Sequence, residues 1–109
     1  MERKVEFNSC GDTIHGVLHV PDGVKNPPLV IMAGGWCYVK EIVMPYYADD
    51  FMEIGCACLI FDYRRFGDSE GTPRQHINPW DQIEDYRNAI SYAETLEEVD
   101  SDRIGVWGI

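Results

Sequence analysis

Hydrophobic and polar positions along the chain change period several times, and each change marks an element. From Lys4 to Asn8, Val5 and Phe7 alternate with Glu6 and Asn8, the period of two of a strand with one buried face. Ser9-Cys10-Gly11-Asp12 has turn chemistry. From Thr13 to Pro21 the apolar positions resume as Ile14, Val17, Leu18 and Val20, so the two segments predict an antiparallel hairpin. Asp22 to Pro28 is rich in breakers and reads as a connection. Leu29-Val30-Ile31-Met32-Ala33 is a continuous apolar run, the mark of a strand buried on both faces, and Gly34 and Gly35 end it.

The period then turns helical. Pro45 to Ile54 predicts a helix, with Pro45 tolerated in the first turn, where its missing N–H has no partner to lose. Tyr46, Tyr47, Phe51 and Ile54 are spaced as one face, and Gly55 is the stop. Cys56 to Phe61 is a second fully apolar strand. Arg64 to Asn78 is a long polar loop containing glycines. Asn78-Pro79-Trp80-Asp81 reads as a helix start with Asn78 as N-cap. Ile83, Tyr86, Ala89, Ile90 and Ala93 recur at three and four residues, giving a helix with one apolar face that runs to about Leu96. Asp100 to Arg103 leads into a last strand, Ile104 to Trp107.

A hairpin followed by strand, helix, strand, helix, strand predicts an α/β protein, with parallel crossover units behind an antiparallel edge. Each crossover is expected to be right-handed. The last strand has no successor to cover it, and an apolar edge strand is an aggregation hazard. The expectation is therefore that residues 1–109 are the N-terminal portion of one domain, or that another polypeptide completes the sheet.

Composition narrows the function classes. The net charge of −10 argues against nucleic acid and anionic membrane surfaces as partners, since both need a basic footprint. No apolar stretch approaches the roughly 20 residues of a membrane span. Met1-Glu2-Arg3-Lys4 lacks the apolar core of a secretory signal, so the expected compartment is the cytoplasm. The four cysteines, Cys10, Cys37, Cys56 and Cys58, have neither zinc-ribbon nor CxxC spacing. Cys56 and Cys58 share one strand face and read as small buried hydrophobes.

Three segments carry chemistry. VIMAGGWCYVKE follows the first buried strand, FDYRRFGDSEG follows the second, and DSDRIGVWGI closes the sequence. In this order, and with this spacing, the chain from about Val5 to Ile109 resembles the first half of an α/β-hydrolase. It is most similar to the dienelactone-hydrolase-like and Xaa-Pro-dipeptidyl-peptidase-like (S15-type) acyl hydrolases. Those proteins carry segments like HGWGGVKE, DYRGFGxSEG and GxSxGG after their third, fourth and fifth strands. The resemblance implies a sheet order of 1-2-4-3-5. It makes Gly108 and Ile109 the opening of the nucleophile elbow, with the serine expected at position 110. It makes the backbone N–H of Trp36 an oxyanion donor, and Gly35, Cys37 and Tyr38 candidate lining for a substrate pocket. Gly34 stands where those proteins often have His, Cys37 and Tyr38 where they often have two glycines, and Arg65 where they often have Gly.

In these families the acid and histidine follow the serine, so His15, His19 and His76 are not expected to be the general base. Ser69 has no base beside it, and Asp62 is expected to order the Arg64–Ser69 loop. The implied function is a serine acyl hydrolase of the esterase or thioesterase type, working through an acyl-enzyme on a small acyl substrate. No metal or organic cofactor is implied. The C-terminal half of the domain is the expected partner, this chain alone is expected to be inactive, and a homo-oligomer is compatible with the resemblance. Two alternatives stay open at this point. One is a haloalkane dehalogenase or epoxide hydrolase of the same fold, with aspartate at position 110. The other is a non-catalytic module that pairs its open strand with a partner chain.

Overall fold

In a computed structural model, which describes residues 1–109, five strands and two helices follow one another. They are β1 (Glu2–Ser9), β2 (Asp12–His19), β3 (Leu29–Met32), α1 (Met44–Glu53), β4 (Ala57–Phe61), α2 (Pro79–Ala93) and β5 (Ile104–Trp107). The strands form one sheet in the order β1-β2-β4-β3-β5, the expected order. β1 and β2 pair as a hairpin, β2 runs antiparallel to β4, and β3 is parallel to both β4 and β5.

The two central strands are apolar because both of their faces are covered. On one face, Leu29, Ile31, Leu59 and Phe61 pack with Ile14, Leu18, and Ala89 and Ala93 of α2. On the other, Met32, Cys58 and Ile60 meet Met44 and Ala48 of α1. Leu59, Ile60 and Phe61 are essentially inaccessible, and burying each side chain contributes about 1.5–3 kcal/mol. The layers are thus helix, sheet, helix, as alternating strands and helices require.

Two expectations are corrected. The face assigned to α1 is rotated by about a quarter of a turn: Tyr46 is 78% exposed and Ile54 76%, while Met44 and Ala48 are buried. Ala48 lets the helix approach β4 closely, which an aromatic ring at that position would prevent. Tyr47 instead lays its ring against Trp107 on the helix flank, with centroids 4.4 Å apart. The second correction is that α2 ends at Ala93 rather than Leu96. A tighter turn follows, in which Leu96 N–H donates to the Ala93 carbonyl, and it carries Leu96 into the core without extending the helix.

The sheet edges differ. β1 presents Glu2, Arg3, Lys4 and Glu6 to solvent. β5 presents Gly105 and Val106, the latter 57% exposed, with Ile104 and Trp107 half-buried. No helix is long and apolar enough to cross a membrane.

Cys58 is fully buried in β4 as expected, but β4 begins at Ala57, so Cys56 precedes the strand and is only half-buried, while Cys10 and Cys37 are exposed. Burial pushes the Cys58 thiol up to about 12, so it carries almost no thiolate at neutral pH. Native-state alkylation at pH 8, read by mass spectrometry, is expected to modify Cys10 and Cys37 and spare Cys58 until denaturant is added.

Candidate active site at the carboxyl ends of β3 and β5

β3 stops at Met32, and the chain leaves the sheet through Ala33, Gly34 and Gly35, with no room for a side chain at Gly34. Gly35 to Tyr38 forms a turn closed by the Tyr38 N–H on the Gly35 carbonyl at 3.4 Å. Trp36 occupies the second position of that turn. Its ring is 66% exposed, and its backbone N–H has no partner within the chain. The carbonyl of the same residue accepts from Gln82 Nε2 of α2 at 3.1 Å.

Beneath this turn lie two tyrosines. Tyr63 donates to the Gly34 carbonyl at 3.0 Å. The Tyr86 hydroxyl accepts from Ala33 N–H at 2.8 Å and donates to the Trp107 carbonyl at 3.3 Å, which joins the ends of β3 and β5. Burial raises the pKa of both phenols, so both act as neutral hydroxyls. An open hollow of about 430 Å³ lies here, lined by Gly34, Tyr63, Tyr86 and the stretch from Val106 to Ile109. A methyl group placed on Gly35 would come within 3.7 Å of the Ile109 carbonyl oxygen, so the turn after β3 and the chain leaving β5 are neighbours.

The residues singled out in the sequence are placed unevenly. Gly108 and Ile109 line the hollow, whereas Gly35, Trp36, Cys37 and Tyr38 stand outside its lining, with Cys37 and Tyr38 exposed. Gly34 and Tyr38 interlock: a side chain on Gly34 would overlap the Tyr38 Cβ and crowd the Tyr38 backbone, so with any residue larger than glycine at 38 this turn demands glycine at 34. His15 and His19 are half-buried in β2, and His76 is exposed.

Two buried ionic networks brace the loops around the hollow. Asp62 is fully buried at the end of β4. Its carboxylate accepts from Lys40 N–H at 2.7 Å, Lys40 Nζ at 2.8 Å and Asp68 N–H at 3.0 Å. Ser69 Oγ donates to the Asp62 carbonyl at 2.7 Å. A Cβ on Gly67, which has φ of 53°, would collide with this carboxylate. Burial opposes the charge of the Lys40 ammonium, but hydrogen bonds to Asp62, Asp68 and Glu41 outweigh it and lift its pKa above the ordinary lysine value. In the second network, fully buried Asp85 accepts from Ser9 Oγ at 2.6 Å, Arg64 Nε at 2.8 Å and Arg64 N–H at 2.9 Å. This fastens α2 to the start of the loop after β4.

Lys40, Arg64, Gln82 and Asp85 escaped the sequence reading because charged and amide residues look like surface. Position offered one clue: Asp85 lies one turn before Ala89 and two before Ala93, on the row that α2 buries.

No protein-family model matches the chain. Among curated proteins, the thiohydrolase aneE of Aspergillus aculeatus is 41% identical over 107 residues, 97% of this chain and 33% of its own length. The quorum-quenching protein AidA of Acinetobacter baumannii is 38% identical over 104 residues, 95% of this chain and 34% of its own length. Among solved structures, the α/β hydrolase GrgF from Penicillium sp. sh18 superposes with a TM-score of 0.93 at 31% identity, over all of this chain and 37% of that one. The chain is built as the N-terminal part of an α/β-hydrolase. It spans about a third of the length of the curated relatives it matches.

Proposed function

We propose that this chain forms the N-terminal portion of a serine acyl hydrolase that cleaves an ester or thioester through an acyl-enzyme. The observation that carries the reading is the unpartnered Trp36 N–H, in a turn that neighbours the chain leaving β5. Acyl transfer builds negative charge on a carbonyl oxygen, and a fixed, unspent N–H donor stabilises it. In this reading the polypeptide continues from Ile109 into a serine at position 110, and the strand-to-helix elbow lifts that hydroxyl toward the Trp36 amide. The acid and the histidine lie further on, in the remainder of the domain. The relatives named hydrolase or thiohydrolase support the same class.

The test is labelling with a fluorophosphonate, followed by peptide mapping. The complete polypeptide is expected to take one label, at position 110, and to hydrolyse a short acyl ester or thioester. Residues 1–109 alone are expected to do neither and to associate through β5. A complete polypeptide that carries no serine at 110, or takes no label there, overturns the reading.

A further inference from the structure

Three consecutive carbonyls in the turn after β3 are each held by a different donor. Gly34 C=O accepts from the Tyr63 hydroxyl, Gly35 C=O from the Tyr38 N–H, and Trp36 C=O from Gln82 Nε2. None of these three peptides is cis. In a trans peptide the N–H points opposite to the C=O, so fixing three carbonyls also fixes the N–H groups of Gly35, Trp36 and Cys37. None of those three N–H groups has a partner within the chain.

The middle tie is backbone and the first comes from a buried ring. The last comes from a side chain on another element, α2, and spans 46 residues of sequence. Nothing else in the chain donates to the Trp36 carbonyl. Without Gln82, the peptide after Trp36 is free to turn about its flanking bonds, and the Trp36 N–H loses one of the two fixed planes that flank its own.

We infer that Gln82 is a positioning residue: by holding the Trp36 carbonyl it aims the backbone donors of the turn toward the reacting acyl oxygen. The inference rests on the proposed acyl hydrolysis. Gln82 touches no substrate in this scheme. It sets the direction of a dipole before the reaction begins, which is where electrostatic stabilisation has its value.

The experiment compares Gln82→Ala and Gln82→Glu with the parent enzyme in the complete polypeptide, using steady-state hydrolysis of a short acyl ester. Gln82→Ala is expected to lower kcat about tenfold, the kinetic equivalent of one hydrogen bond, with KM little changed. Gln82→Glu replaces the donor with a carboxylate that repels the carbonyl when ionised and donates to it when protonated. Its kcat, taken as a ratio to the parent at each pH, is therefore expected to recover as pH falls toward the carboxyl range. Unchanged kcat in a folded Gln82→Ala enzyme, or a flat Gln82→Glu ratio across pH, overturns the inference. Trp36→Pro in the same series separates the two proposals. If that variant loses turnover while the Gln82 variants do not, only the positioning role fails. If none of them loses turnover, the oxyanion reading fails as well.

Discussion

Replacing Trp36 with proline is expected to cut the turnover number of the complete enzyme by roughly 10²–10³ while leaving it folded. Proline has no N–H, so the substitution deletes the proposed donor. The surrounding geometry accepts it, because Trp36 has no positive φ and sits second in its turn, the position proline prefers. Its N–H makes no bond within the chain, so no structural hydrogen bond is lost. Loss of one oxyanion donor costs about 2.7–4 kcal/mol of transition-state stabilisation. Trp36→Phe keeps the N–H and changes only a largely exposed ring, so its effect is expected in KM and in acyl-group preference. Circular dichroism checks the fold of each variant, and steady-state kinetics on a short acyl ester measure the split. A folded proline variant with near-parent turnover returns Trp36 to the status of a loop aromatic.

The largest loss of stability is expected from Asp85→Ala. The carboxylate is inaccessible and answers three donors, one of them the Arg64 guanidinium, itself almost fully buried. Burial works against the Arg64 charge, and the bond to Asp85 is what restores it, leaving the pKa above the ordinary arginine value. Removing one member of a buried pair leaves the other uncompensated, at a cost of about 3–5 kcal/mol. Asp81 is a poor substitute, since its carboxylate lies 3.8 Å from Arg64 and already binds Arg65 at 2.7 Å. Urea denaturation of the complete polypeptide measures the change. A midpoint shift equivalent to less than about 1 kcal/mol contradicts the assigned role.

The sequence made the sheet legible because β3 and β4 are covered on both faces. Continuous apolar runs such as Leu29–Met32 have few other uses. The sheet order itself came from the family resemblance carried by the three motifs, not from the hydrophobic pattern. The face of α1 was not legible. Four large apolar residues at helical spacing outweighed one alanine, yet contact distance with β4 favoured the alanine. The motifs after β3 and β5 are what mark the ends of those strands as the candidate site. The parts that hold them in place were not legible, because an aspartate or glutamine that answers a distant backbone group carries no local mark. Tyr86 is the clearest example: it was recognised only as an apolar position of α2, while its hydroxyl joins two strands.

The unlike edges of the sheet give it a direction of growth. Along β1, charges of both signs at Glu2, Arg3, Lys4 and Glu6 seal the margin against a further strand. Along β5, a glycine and a bare valine offer backbone groups with nothing to repel a newcomer. Any strand that joins this sheet, whether from the same polypeptide or from another, is therefore recruited at one margin alone. That margin belongs to the strand whose outgoing chain, at Ile109, lies against the turn that carries Trp36, so the edge open to growth and the candidate site share one end of the sheet.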